Sequence, residues 1–182
     1  MKISLVSISI LSAVGIIAIA GGVAISAQDR STLKVPDGLS FDEFKGYESW
    51  ETVAVTQNDG RMKLIAANPT MISAFREGLP AKGKSFPDGS RIVKLEWSRK
   101  VNSTSPAGPI AGPDELLAVE FIVKDTKRFP NQPNQNGWAF ALFLNDPATQ
   151  TLTPVGSGTV CGTACHAKVA DQDSIFNRYA PR

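Results

Sequence analysis

The chain has 182 residues, of which 42% are hydrophobic and 20% charged, a composition that fits one globular domain with an appendage and excludes wholesale disorder. Its formal net charge is only +2 and it has no basic cluster interleaved with aromatics, which excludes a nucleic-acid binder driven by phosphate attraction. With 15 Gly and 12 Pro there is little room for long helices, and the 2 Cys and 1 His all fall within six consecutive positions.

Lys2 carries the only side-chain charge before Asp29, and residues 3–27 are dominated by Ile, Val, Ala, Leu, Gly and Ser. The stretch ends in Ile25-Ser26-Ala27 and reads as a secretory signal. The bulky Ile25 keeps an uncleaved membrane anchor open as the alternative, since about 25 apolar residues can span a bilayer. Both readings export the folded part, to the periplasm or to the outer face of the inner membrane. The expected organisation is a signal or anchor over 1–27, an irregular segment over 28–45 and one domain over 46–182.

Residues 50–56 alternate and are rich in β-branched side chains, so they predict a strand; Asn58-Asp59-Gly60 is a turn and residues 62–67 a second strand. Asn68 caps, and Pro69 opens, a helix that runs to Glu77 and stops at Gly78. After the turn Phe86-Pro87-Asp88-Gly89, residues 91–101 alternate, with Val93, Leu95 and Trp97 on one face and Ile92, Lys94 and Glu96 on the other. Residues 102–113 read as a Pro/Gly/Ser loop. Residues 116–123 form a further strand, with Leu117, Val119, Phe121 and Val123 opposite Ala118, Glu120 and Ile122. Residues 130–137 are a polar turn, 138–144 an apolar strand and 173–179 a short helical tail.

Cys161-Gly162-Thr163-Ala164-Cys165-His166 fits the attachment pattern of c-type haem. Two thiols at this spacing can each form a thioether with one haem vinyl group, and the adjacent imidazole can reach the iron. The expectation is one covalently attached haem c, held by Cys161 and Cys165, with His166 as the proximal iron ligand. A disulfide or thioredoxin-like redox pair is one alternative, but that motif belongs in a βαβ unit and none is read here. A zinc site is another, but it needs four ligands where three soft ones exist. His166 is the only histidine and no Met follows it, while Met62 and Met71 read as core residues. The iron is therefore expected to be five-coordinate with an open distal side. The predicted fold is α+β with a β majority: a mostly antiparallel sheet of about four to five strands, a few short helices and a C-terminal haem-attachment helix. The strands and the 12 Pro oppose the four-helix bundle of the cytochromes c-prime, which also carry a C-terminal haem motif.

Tyr47-Glu48-Ser49-Trp50, Asn68-Pro69, Phe86-Pro87-Asp88-Gly89 followed by Lys94, Val119-Glu120-Phe121-Ile122-Val123-Lys124-Asp125 with Arg128-Phe129, Asn136-Gly137-Trp138-Ala139-Phe140, the Cys/His motif and Phe176-Asn177-Arg178-Tyr179 follow one another in the chain. In this order they resemble the cytochrome P-460 family, over nearly all of residues 46–181. The resemblance implies a β-rich, usually dimeric protein with one haem c, His166 as proximal ligand and a distal pocket made by sheet side chains. Characterised members oxidise hydroxylamine in the periplasm; the related cytochromes c-prime-beta bind nitric oxide or carbon monoxide without being clear enzymes. Catalytic members carry a lysine bonded to the haem edge, and Lys94 sits at its place; an exposed lysine on a polar strand face is the alternative. They also keep a distal carboxylate, and Glu120 occupies that place as a proton relay; the alternative is a cross-strand ion pair with Lys94 or Lys124. Family members often carry Arg where Lys63 stands, which puts any guanidinium hydrogen bonding there in question. Phe75, Phe86 and Phe140 are candidates for the distal wall or for ordinary core. The implied function is an exported cytochrome that oxidises hydroxylamine, or processes nitric oxide, and passes electrons to another cytochrome. The alternative is a non-enzymatic binder of nitric oxide or carbon monoxide. The expected partners are the small nitrogenous ligand, a redox partner cytochrome and a second copy of the chain, with no nucleic acid.

Overall fold

The computed structural model of the chain describes residues 28–36, 38–130, 136–156 and 164–179. The expected signal or anchor over 1–27 and the candidate ligand Cys161 lie outside the described residues.

Six strands form one antiparallel meander, each paired with its sequence neighbours. They are β1 (Glu51–Asn58), β2 (Arg61–Ala67), β3 (Arg91–Asn102), β4 (Ile110–Lys124), β5 (Trp138–Asp146) and β6 (Thr151–Val155). Asp59 and Gly60, both at positive φ, make the two-residue β1–β2 turn whose twist suits the flanking strands. The β majority and the antiparallel sheet are as expected, but the strand count is six rather than four to five. The missed strand is β6, whose Pro154 pairs with Phe143. A proline lacks the ladder donor, yet β6 is an edge strand and needs hydrogen bonds on one side only. The predicted 102–113 loop is also shorter than expected. β3 runs to Asn102 and β4 starts at Ile110, with Gly112 and Pro113 paired to Lys100 and Arg99. That outer half of β4 has no β5 beside it, because β5 pairs only from Ala118 onward. Register shifts around Trp97 leave Leu117 unpaired and bring Leu116 opposite Trp97, so the predicted alternation of β4 holds only from Ala118.

The sheet has two covered faces. On one, Val93, Val119, Phe121, Val123 and Phe143 meet the N-terminal segment, whose Val35, Leu39, Phe41, Phe44 and Tyr47 are buried. That segment is a chain of 3-10 turns, Arg30–Thr32, Phe41–Phe44 and Tyr47–Ser49. Phe121 is fully buried at its centre, with the Phe44 ring stacked on it at 4.1 Å and the Phe41 ring edge-on at 5.1 Å. On the other face, Ile65, Ala67, Ile92, Ile122 and Phe140 meet Met71, Ile72 and Phe75 of α1 (Pro69–Arg76), together with Phe86 and Ile175. The helix forms as predicted: the Asn68 side chain accepts from Met71 N at 3.2 Å, Pro69 stands in the first turn, and Gly78 at φ 95 follows the end. Asn68 also accepts from Arg91 N at 3.0 Å and donates to Gly89 O at 2.9 Å, which ties α1 to the start of β3.

The C-terminal segment corrects a second expectation. Residues 173–179 are not helical; the helical part lies earlier, as a 3-10 helix over His166–Gln172 that is kinked at Val169. No α-helix carries the Cys/His motif among the described residues. The β-branched Val169 leaves helical φ/ψ, and Asp173 and Ser174 take positive φ values that no right-handed helix can accommodate. From there the segment runs back across the second face of the sheet. Gly137 precedes β5 at φ 80, with a Cβ there placed 2.7 Å from Thr126 Cγ2, so both its backbone and its neighbour require glycine.

Candidate functional site

Alternation puts Ile65 on β2, Ile92 and Lys94 on β3, and Glu120 and Ile122 on β4 on the same face of the sheet, the one that α1 and the C-terminal segment cover. Above them lies a cavity of about 360 Å³. Ile65, Ile92 and Ile122 give it an apolar floor, rimmed by Lys63, Lys94 and Glu120. Cys165, His166, Ile175 and Phe176 of the C-terminal segment form the other wall. The sequence-predicted residues Lys94, Glu120, Cys165 and His166 are thus brought to one cavity.

Lys94 and Glu120 are direct cross-strand partners, and Lys94 Nζ lies 2.7 Å from Glu120 Oε1. Glu120 faces the pocket, and the ion pair considered for it is made with Lys94. Lys124, the other lysine considered, is engaged elsewhere, 2.8 Å from Asp173. Glu120 thus stands at the cavity edge with the Lys94 ammonium beside its carboxylate. One step along the same face, Lys63 lies opposite Glu96, with Nζ 3.5 Å from Oε2. Glu96 is buried and also accepts from Arg61. Burial works to raise the Glu96 carboxyl, but the Arg61 hydrogen bond and the Lys63 and Lys94 charges outweigh it and hold the group below its ordinary value. Arg61 therefore brings a guanidinium to this row of charges from two residues before Lys63.

His166 is held on three sides. Its Nδ1 lies 2.7 Å from the Ser174 carbonyl, and the Phe140 and Phe176 rings pack against it with centroids at 4.7 Å and 4.9 Å. A carbonyl oxygen only accepts, so Nδ1 carries the proton and Nε2 keeps its lone pair. Burial holds the imidazole below its ordinary value of 6.5; the Ser174 bond opposes this and the Lys94 charge adds to it. The side chain is thereby set as a neutral imidazole of fixed tautomer. Phe75 and Phe86 pack edge to face at 5.1 Å within the core and do not line the cavity. Met71 is fully buried under α1, and Met62 lies opposite Trp97 on the other sheet face. Neither methionine lines the cavity, so among the described residues His166 is its one soft nitrogen or thioether donor.

These residues fit a haem. The cavity is two-walled with an apolar floor, a neutral imidazole stands in one wall with its outer nitrogen hydrogen-bonded, and an exposed thiol adjoins it at Cys165. Sequence reasoning neither placed Ser174 and Phe176 against His166 nor paired Lys124 with Asp173. For Lys124 a signal existed: it follows Glu120 and Ile122 in the period of the buried face, where a lysine needs a partner.

The family model Cytochrome P460 matches residues 44–177. No curated protein matches the chain.

Proposed function

The chain belongs to the cytochrome P460 family of haem-binding cytochromes, and on that premise we propose that it is an exported mono-haem c protein that oxidises hydroxylamine, or processes nitric oxide, and delivers electrons to another cytochrome. Cys161 and Cys165 hold the single haem through thioethers, and His166 is its proximal ligand. When bound, the haem would supply an iron that can take up a small nitrogenous molecule. Glu120, at the cavity edge, would accept protons from such a molecule. Lys94 keeps Glu120 oriented and is the residue available for a bond to the haem edge. The observation that carries this reading is the cavity in which Lys94 and Glu120 meet Cys165 and His166 across an isoleucine floor. The 1–27 segment directs export, and two copies of the chain form the working unit.

The Lys94–Glu120 ion pair also favours a second reading. An ammonium committed to a carboxylate is not a nucleophile, and with an unmodified haem the protein would be a non-enzymatic binder of nitric oxide or carbon monoxide, like the cytochromes c-prime-beta. The absorption spectrum and mass of the denatured holoprotein separate the two. We expect a mass increased by one haem and reduced by residues 1–27, with a red-shifted, broadened spectrum if Lys94 is bonded to the macrocycle. An ordinary haem c spectrum decides for the second reading, and a colourless chain from a cell competent in cytochrome maturation removes both.

A further inference from the structure

Behind the cavity lies a buried charge pair that the proposed chemistry does not use. Lys124, the last residue of β4, and Asp173 are each 2% exposed, with Nζ 2.8 Å from Oδ1. The other Asp173 oxygen accepts from Phe86 N at 2.7 Å, and the Lys124 ammonium stands 5.3 Å from the Trp138 ring centroid. Two buried charges carry a desolvation penalty that an apolar pair would avoid, so such a pair points to geometric specification more than to stability.

The geometry it fixes is the turn that follows. Asp173 and Ser174 have φ values of 52 and 63, left-handed conformations that non-glycine residues hold only where their surroundings over-determine them. Ser174 N donates to Val169 O at 2.9 Å, and Ile175 is buried in the core beyond it. With its carboxylate locked on Lys124 and Phe86, Asp173 sets the direction of the next carbonyl, and that carbonyl, Ser174 O, meets His166 Nδ1 at 2.7 Å.

We propose that Lys124 and Asp173 are positioning residues for His166: their ion pair holds the left-handed turn that presents Ser174 O to Nδ1, and through that hydrogen bond sets the tautomer and donor strength of the imidazole. This rests on the reading of His166 as the axial ligand. A hydrogen bond to the outer nitrogen of a ligating imidazole raises its basicity, so slackening the turn weakens the iron–histidine bond and favours the ferrous state.

The test uses the haem-loaded protein. Asp173→Asn keeps an acceptor for Phe86 N and removes the charge that Lys124 needs. The expected result is a downward shift of the iron–histidine stretching band in resonance Raman spectra of the ferrous form, with a rise in reduction potential. Glu51→Gln is the control. It alters the carboxylate that accepts from Tyr179 at the far end of the same segment, and should lower the thermal midpoint with band and potential unmoved. Should Asp173→Asn fail to fold, Lys124→Met combined with Asp173→Asn removes both buried charges and carries the same two expected shifts. An unmoved band and potential in the variant that folds overturn the inference and leave the proposed function standing. A protein that takes up no haem, or whose ferrous form lacks an iron–histidine band, overturns the reading of His166 and this inference with it.

Discussion

Glu120 gains its chemistry from its place in the ladder. It lies between Lys94 on β3 and Leu142 on β5, so one neighbour is a cation and the other is apolar. A carboxylate in that position can take a proton from a ligand in the cavity, while Lys94 limits its rotamers. Glu120→Gln keeps the shape and removes the base. Hydroxylamine turnover is expected to fall by roughly 10²- to 10⁴-fold, the usual contribution of a positioned acid–base group. Nitric oxide binding to the ferrous form, which needs no proton acceptor, should persist. Turnover at the unsubstituted rate, measured with a saturating electron acceptor, would remove Glu120 from the proton path. Lys94→Met tests its neighbour: the denatured spectrum should become that of ordinary haem c if Lys94 is bonded to the macrocycle, and stay unchanged if it is not.

At the scale of elements, α1 is short and depends on its cap. Asn68 satisfies Met71 N inside the helix and Arg91 N and Gly89 O outside it, so one side chain fixes both the helix start and its seat on β3. Asn68→Ala should cost about 1–2 kcal/mol, the upper part of the range for lost N-caps, read from the midpoint of a denaturant titration. A midpoint within error of the unsubstituted protein would contradict that role. This helix was legible because Asn68, Pro69 and Gly78 are local signals. The faces of β3 and of inner β4 were legible because their alternation is written in consecutive residues, while Lys94 and Glu120 were singled out by the family resemblance. What escaped depends on context that no local window contains. Pro154 and Pro113 lack the ladder donor, yet each sits where a strand has a free edge. The 173–179 tail has helix-compatible composition, but its path is set by the Lys124–Asp173 pair, whose members are 49 residues apart. Phe176 and Ser174 enter the site only because that turn exists.

For the whole molecule, the charges that join its layers set its response to acid. Glu43 ties the N-terminal segment to Arg128, 2.7 Å away in the β4–β5 connection, while Arg91 donates to its backbone carbonyl. Burial works to raise the Glu43 carboxyl, but Arg128, the Ser40 amide and Arg91 outweigh it and hold it below its ordinary value of 4.5. Glu96, facing Arg61, Lys63 and Lys94 at the cavity rim, is lowered from 4.5 in the same sense, and Asp88 is lowered from 3.8 by its hydrogen bonds to Thr126. For each carboxyl the folded form binds its proton less readily than the unfolded form does, so the stabilisation is complete above the unfolded value and is lost as pH falls through the folded one. The thermal midpoint should therefore be level at neutral pH and fall below about pH 4.5, in holoprotein followed by far-ultraviolet circular dichroism. Glu96→Gln should shallow that decline, because it removes one of the depressed carboxyls. A midpoint that stays level from pH 7 down to about pH 3 would mean that these pairs do not hold the N-terminal layer and the cavity rim to the sheet.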